Sequence, residues 1–184
     1  MNMMVNMMRE HMDEEARIHY VITKGGLAPN VVPEEAEVYY YVRHPHVEGV
    51  KELFNRVVKT AEGAARGTET QMDFEVMHGN YPLMPNKALS VVVDEELHKI
   101  GGITYSNEEN KFAEEIYQTL LNPDRPIGDQ ENIQPLELSQ TKGSTDVGDV
   151  SWKVPTSGVR IATWVPGTSS HSWQAVAAGG TTIG

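Results

Sequence analysis

An α/β chain of the α+β kind is predicted by three observations. Side chains alternate with period two through residues 18–22 and 38–42, which reads as two strands. Apolar residues then recur every three or four positions from Val47 to Ala64, and again in two stretches of the second half, which reads as helices. Turn-forming Gly, Pro and Asn separate these runs. A chain of 184 residues suits one large domain or two small ones.

The elements follow in order. Met4, Met7, Met8 and Met12 stand at helical spacing, with Arg9, Glu10 and Asp13 between them. This is a Met-packed helix rather than a signal peptide, because no basic segment precedes it. Ile18, Tyr20 and Ile22 form one side of a half-buried strand that Gly25-Gly26 ends. After a loop through Pro29, Asn30 and Pro33, Val38, Tyr40 and Val42 alternate with Tyr39, Tyr41 and Arg43 in a β-branched and aromatic strand. Pro45 closes it. Val47, Val50, Leu53, Phe54, Val57, Val58, Ala61 and Ala64 mark the clearest helix, with Gly67 where a C-terminal cap belongs. Met72, Phe74 and Val76 read as a third strand.

Helix, strand, strand, helix, strand is five sixths of the βαββαβ order of a ferredoxin-like domain, without its first strand. That strand lies inside the sheet, so its absence leaves backbone groups without partners. The expectation is that the chain starts inside a domain.

In the second half, Asn86 caps a helix carrying Ala88, Leu89, Val92, Val93, Leu97 and Ile100, and Gly101-Gly102 stops it. Ser106 and Glu109 form a capping box for a helix bearing Phe112, Ala113, Ile116, Tyr117, Leu120 and Leu121. Residues 122–143 lack periodicity and read as a surface loop. Val159, Ile161, Thr163 and Val165 read as a buried strand. The break between domains falls within 78–85, giving domains 1–80 and 81–184.

Composition excludes several function classes. A net charge of −11, spread along the chain, repels phosphate backbones and argues against a nucleic-acid partner. The absence of cysteine excludes a disulfide framework, a thiolate zinc cluster and a cysteine nucleophile, and fits a reducing cytoplasm. No apolar run approaches the roughly 20 residues of a membrane span.

Three groups of residues bear on chemistry. His171 follows the last predicted strand and a Pro166-Gly167 turn, in a loop position suited either to a ligand or to a satisfied polar residue. Asp146 and Asp149 lie in a compact polar loop, where they either orient a histidine or bind a substrate, or simply form a turn. Asn30 and Arg43 flank the second strand. If the two strands pair antiparallel, amide and guanidinium converge on one carboxylate; an exposed Arg is the plainer reading. His11, His44, His46, His78 and His98 read as solvent-exposed, whereas His19, facing away from Ile18, Tyr20 and Ile22, is either a surface residue or points into a cleft.

The segments GGLAPNVVPEEAEVYYYVR, AEGAARGTET, YPLMPNKAL, STDVGDVSWKVPT and WVPGTSSHSWQ, in this order, resemble the zinc amidohydrolase family of aminoacylases and glutamate carboxypeptidases. The resemblance covers nearly the whole chain. It implies most of a ferredoxin-like lid and dimerisation domain in 1–80, and the C-terminal segment of an α/β zinc-peptidase catalytic domain in 81–184. It further implies that His171 is the last metal ligand, that Asn30 and Arg43 grip the carboxylate of an N-acyl amino acid in a partner subunit's site, and that Asp146 and Asp149 line the site floor. The cofactor implied is a divalent metal, two zinc ions with manganese as the alternative, and the assembly a homodimer through the lid.

Departures from the family pattern are as informative. Its H-x-D ligands, bridging aspartate, Glu-Glu pair with the general base, and Ala-His-Ala strand are expected upstream of Met1. The expectation is a fragment of a metal-dependent amidohydrolase, inactive by itself. The alternative is a non-catalytic remnant that serves as a dimerisation or small-ligand module.

Overall fold

A computed structural model describes residues 1–139 and 143–184. Its elements are α1 (Asn2–Met8), β1 (Arg17–Lys24), β2 (Glu37–Arg43), α2 (Val47–Thr68), α3 (Lys87–Ile100), α4 (Asn107–Tyr117), α5 (Val147–Ser151) and α6 (Trp173–Gly179), with single 3-10 turns at Arg9–His11 and Asp129–Glu131. The chain forms two compact units, Met1–Leu83 with Ser144–Asp149, and Met84–Gly143 with Val150–Gly184. The architecture is α+β.

In the first unit, β1 and β2 pair antiparallel from Arg17↔Arg43 to Lys24↔Glu37, with one irregularity between Ile22 and Lys24. The helices cover one face of this ribbon. Val5 and Met8 of α1, Ala16, Ile18 of β1, and Leu53 and Val57 of α2 form the core, with Met1, Met12, Tyr40 and Val42 packed on it. Ile18 is only 1% exposed, and burial of such a side chain contributes about 1.5–3 kcal/mol. Because strand residues alternate between faces, Arg17, His19, Val21, Tyr39, Tyr41 and Arg43 share the opposite face.

Two expectations fail in this unit. Residues 72–76 form no strand: Phe74 and Val76 are exposed, and Phe74 instead sets its ring edge-on to Phe54, 5.8 Å between centroids. A strand exists only where a neighbour receives its hydrogen bonds, and among the described residues the sheet has two strands. Gly67 is not the cap of α2. The helix runs past it, and Glu69 takes the left-handed conformation (φ 57°) while its N–H bonds the Ala65 carbonyl.

The second unit follows its local signals closely. The Asn86 side chain accepts the Leu89 N–H at 3.1 Å, and α3 ends at Gly101, whose φ of 85° suits glycine. Gly102 serves a different purpose: a Cβ there would run into the backbone of Glu131, next to the bond from Ile103 N–H to the Gln130 carbonyl. Both halves of the Ser106/Glu109 capping box are made. The core gathers Ala113, Ile116 and Val165, with Tyr105, Phe112, Tyr117 and Ala177 against it.

Here too the structure differs in places. Helix α4 stops at Tyr117, short of Leu120 and Leu121, where the Thr119 hydroxyl bonds the Ile116 carbonyl and Asn122 turns with φ 51°. Residues 159–165 are not a strand; Val165 is buried, but Val159 and Ile161 are exposed without a neighbouring strand among the described residues. Helix α6 has no counterpart among the predicted elements, although Ser172 caps it by accepting the Ala175 N–H at 3.2 Å.

Candidate functional site

The first group of interest is the open face of the ribbon. Register puts Arg17 directly opposite Arg43, and His19 opposite Tyr41. The Arg43 guanidinium carbon lies 5.5 Å from the centre of the Tyr41 ring, a cation–π distance, and Tyr41 in turn meets Tyr39 edge-on at 5.2 Å and His78 at 6.5 Å. Arg17 is steadied by its own neighbourhood, Nη1 donating to the carbonyls of Glu14 and Ala16. Both arginines are half-buried.

Asn30 lies elsewhere. It sits exposed in the loop that joins β1 to β2, at the Lys24↔Glu37 end, whereas Arg43 ends β2 at the Arg17 end. The strand between them is about 20 Å long at roughly 3.3 Å per residue. Antiparallel pairing therefore does not itself bring Asn30 and Arg43 to one anion, because a loop and the far end of the strand leaving it lie at opposite ends of a ribbon. The neighbour that the register gives Arg43 is Arg17.

Of the two histidines after Arg43, His46 is exposed as expected and His44 is not. The His44 side chain is 9% exposed, its ring lies where a Cβ on Gly49 would sit, Nδ1 accepts the His46 N–H at 3.0 Å, and Nε2 is 3.4 Å from Asp13. His44 thus packs the start of α2 instead of facing solvent. The Glu15 N–H and then His44 hold the Asp13 carboxyl below its ordinary range.

Asp149 has a definite partner. Its Oδ1 accepts the Tyr81 N–H at 2.8 Å, and its own N–H bonds the Asp146 carbonyl at 3.1 Å. At neighbouring Gly148 a Cβ would strike the Tyr81 carbonyl, so the backbone approaches closely here. Asp146 is exposed in the turn before α5. The structure thus gives Asp149 an anchoring contact with the 81 segment.

His171, in the second unit, has a positive φ of 59°, uncommon for a non-glycine residue. It is exposed and lines an open pocket with Trp164, Ser170, Ser172, Trp173, Ala175 and Val176. Aromatic walls beside an imidazole suit a flat apolar group next to a polar one. A catalytic zinc takes about three protein ligands. Among the described residues no group of three or more His, Asp or Glu side chains is placed to hold a metal ion, so the residues present do not complete a metal site. Trp173 stands close to His171 in the sequence itself, whereas Trp164 at the same pocket is a neighbour that sequence reading missed; the signal for it is the W-x-x-x-x-x-x-H spacing.

No protein-family model matches the chain. Over 97% of its length it is 35% identical to a p-aminobenzoyl-glutamate hydrolase subunit of Escherichia coli (strain K12), and the match covers 42% of that protein. Over 82% of its length it is 28% identical to the Xaa-Arg dipeptidase of Mus musculus and 27% to that of Homo sapiens, covering 29% of each. The chain thus spans less than half the length of the curated relatives it matches. Over most of its length the chain resembles hydrolases, and it is homologous to these amidohydrolases.

Proposed function

We propose that the chain is part of a metal-dependent amidohydrolase that cleaves the amide bond of an N-acyl or N-aroyl amino acid such as p-aminobenzoyl-glutamate. The observation that carries this reading is the 35% identity maintained over 97% of the chain. In this reading Arg43 grips the substrate carboxylate, since a planar guanidinium meets both carboxylate oxygens at once and Tyr41 holds it in place. Fixing the carboxylate fixes the scissile amide, so orientation is this chain's contribution to the chemistry. Asp146 and Asp149 belong to the lining, and His171 to the metal as one ligand, with the remaining ligands and the general base supplied from outside this sequence; Asn30, at the other end of the ribbon, is not assigned to the grip of Arg43. Zinc or manganese is the metal class, a homodimer through residues 1–80 the assembly, and the cytoplasm the location. The helices of the described residues include none long and apolar enough to cross a membrane.

A second reading, a dimerisation or small-ligand module without activity, is favoured by the lack of a three-ligand group among the described residues. The coding sequence before Met1 separates the two: in-frame H-x-D, Glu-Glu and Ala-His-Ala segments support the enzyme. For the carboxylate grip, binding of p-aminobenzoyl-glutamate to the chain is the measurement. Arg43→Ala is expected to weaken it about tenfold, the worth of one charge-assisted hydrogen-bonded contact; unchanged affinity removes the role.

A further inference from the structure

We infer that the pocket walled by Trp164 and Trp173 receives the flat aromatic ring of an N-aroyl amino acid. This rests on the amidohydrolase reading and narrows its acyl group to an aroyl ring. The carrying observation is a pair of unengaged indoles in one pocket of the second unit. Trp164 is 37% and Trp173 60% exposed. Among the described residues neither ring meets another aromatic ring, and neither indole N–H has a hydrogen-bond partner.

Both walls stand on fixed supports. Val165, next to Trp164, is buried in the core. Trp173 opens α6, where the Ser172 hydroxyl donates to the Ser169 carbonyl at 2.7 Å and accepts the Ala175 N–H at 3.2 Å. The Trp164 indole nitrogen lies 3.7 Å from where a Cβ on Gly179, the last residue of α6, would sit. The walls therefore meet α6 near its two ends, roughly 9 Å apart at about 1.5 Å per residue. Two ring contacts of about 4.5–7 Å each span roughly 9–14 Å, so the gap suits one guest ring. Ala175 and Val176 line the pocket between the walls.

The lining selects the guest. It holds no Asp, Glu, Lys or Arg, so nothing there balances a carboxylate or an ammonium group. An aliphatic chain would gain only buried area, whereas a ring adds the attraction between aromatic faces and edges. The free indole N–H donors suit a carbonyl carried on that ring.

The test is an NMR titration of the isotope-labelled 184-residue chain with two amides. One is p-aminobenzamide, which has the ring and its carbonyl but no carboxylate; the other is cyclohexanecarboxamide, of similar size but not flat. The aromatic amide is expected to bind about tenfold tighter. Of the three indole N–H signals it should move those of Trp164 and Trp173, and leave that of Trp152, which is not in the lining. Trp173→Leu is expected to bring the two amides within about twofold of each other, while Trp173→Phe, which keeps a ring, retains most of the preference.

Equal or undetectable binding of the two amides at millimolar concentration overturns the inference, as does a shift confined to Trp152. A preference that survives both Trp173→Leu and Trp164→Leu overturns it too, as does one lost equally in Trp173→Phe. The carboxylate grip is read separately, because p-aminobenzamide has no carboxylate. If Arg43→Ala weakens p-aminobenzoyl-glutamate while the two amides bind alike, the grip stands and the ring site falls; the reverse pattern removes the grip and leaves the ring site.

Discussion

Glu109 shows how a single residue links local structure to pH. Its carboxylate accepts the Ser106 N–H at 2.8 Å while the Ser106 hydroxyl accepts the Glu109 N–H at 3.3 Å. The Ser106 backbone N–H, then its side chain, holds the carboxyl below its ordinary value. A depressed folded-state pKa means that the folded chain binds this proton more weakly than the unfolded chain. The stabilisation is therefore full above the unfolded carboxylate value, about 4.3, and is lost as pH falls through the lower folded value. Glu37, through the Thr23 hydroxyl and then Lys24, and Asp129, through Arg125, carry the same sign. Denaturant midpoints should fall as pH drops from about 5 to 3. Glu109→Gln, which preserves the capping shape, should show a shallower fall in that window; matching slopes for variant and wild type would refute the assignment. At the same scale, the place of His171 in the sequence marks it as a candidate, but its left-handed backbone and the approach of Trp164 to the same pocket emerge only in the structure. Backbone conformation of a single loop residue is set by what packs around it.

Helix α2 illustrates what an element owes to its end. Gly67 looks like a stop, yet the helix continues because Leu53 and Val57 are anchored in the core and Thr68 bonds back to the Ala64 carbonyl. Its Gly67 is exposed, and a Cβ there would meet nothing within 4 Å. Gly67→Ala should then stabilise the chain by about 0.5–1 kcal/mol, because alanine loses less backbone entropy in a helix. Glu69→Gly should stabilise by a similar amount, roughly 0.5–1 kcal/mol, by removing a side chain from the left-handed position. Thermal melts test both, and a lowered Tm for Gly67→Ala would contradict the helical assignment. Strands behave differently from helices. The two alternating segments that found each other became β1 and β2, while 72–76 and 159–165, with similar local patterns, did not become strands. A helix satisfies its own hydrogen bonds; a strand depends on a partner distant in sequence.

For the molecule as a whole, ligand number sets what the proposed metal chemistry requires. A catalytic divalent metal needs about three protein ligands, and the described residues group no such set. The pure 184-residue chain is accordingly expected to release no glutamate from p-aminobenzoyl-glutamate with added zinc or manganese. Metal-dependent turnover in a purified sample would overturn this. Sequence by itself determined the α+β class, the caps of α3 and α4, the two segments that became β1 and β2, and the motifs whose resemblance the homology to hydrolases matches, since all of these are carried by residues close together in the chain. Tertiary structure alone decided which alternating runs pair and which neighbour a functional side chain receives. Arg43 is the clearest instance. Sequence spacing pairs it with Asn30, thirteen positions away, but antiparallel register sets it across from Arg17, twenty-six positions away, because cross-strand hydrogen bonds fix which residues of a ribbon lie opposite each other.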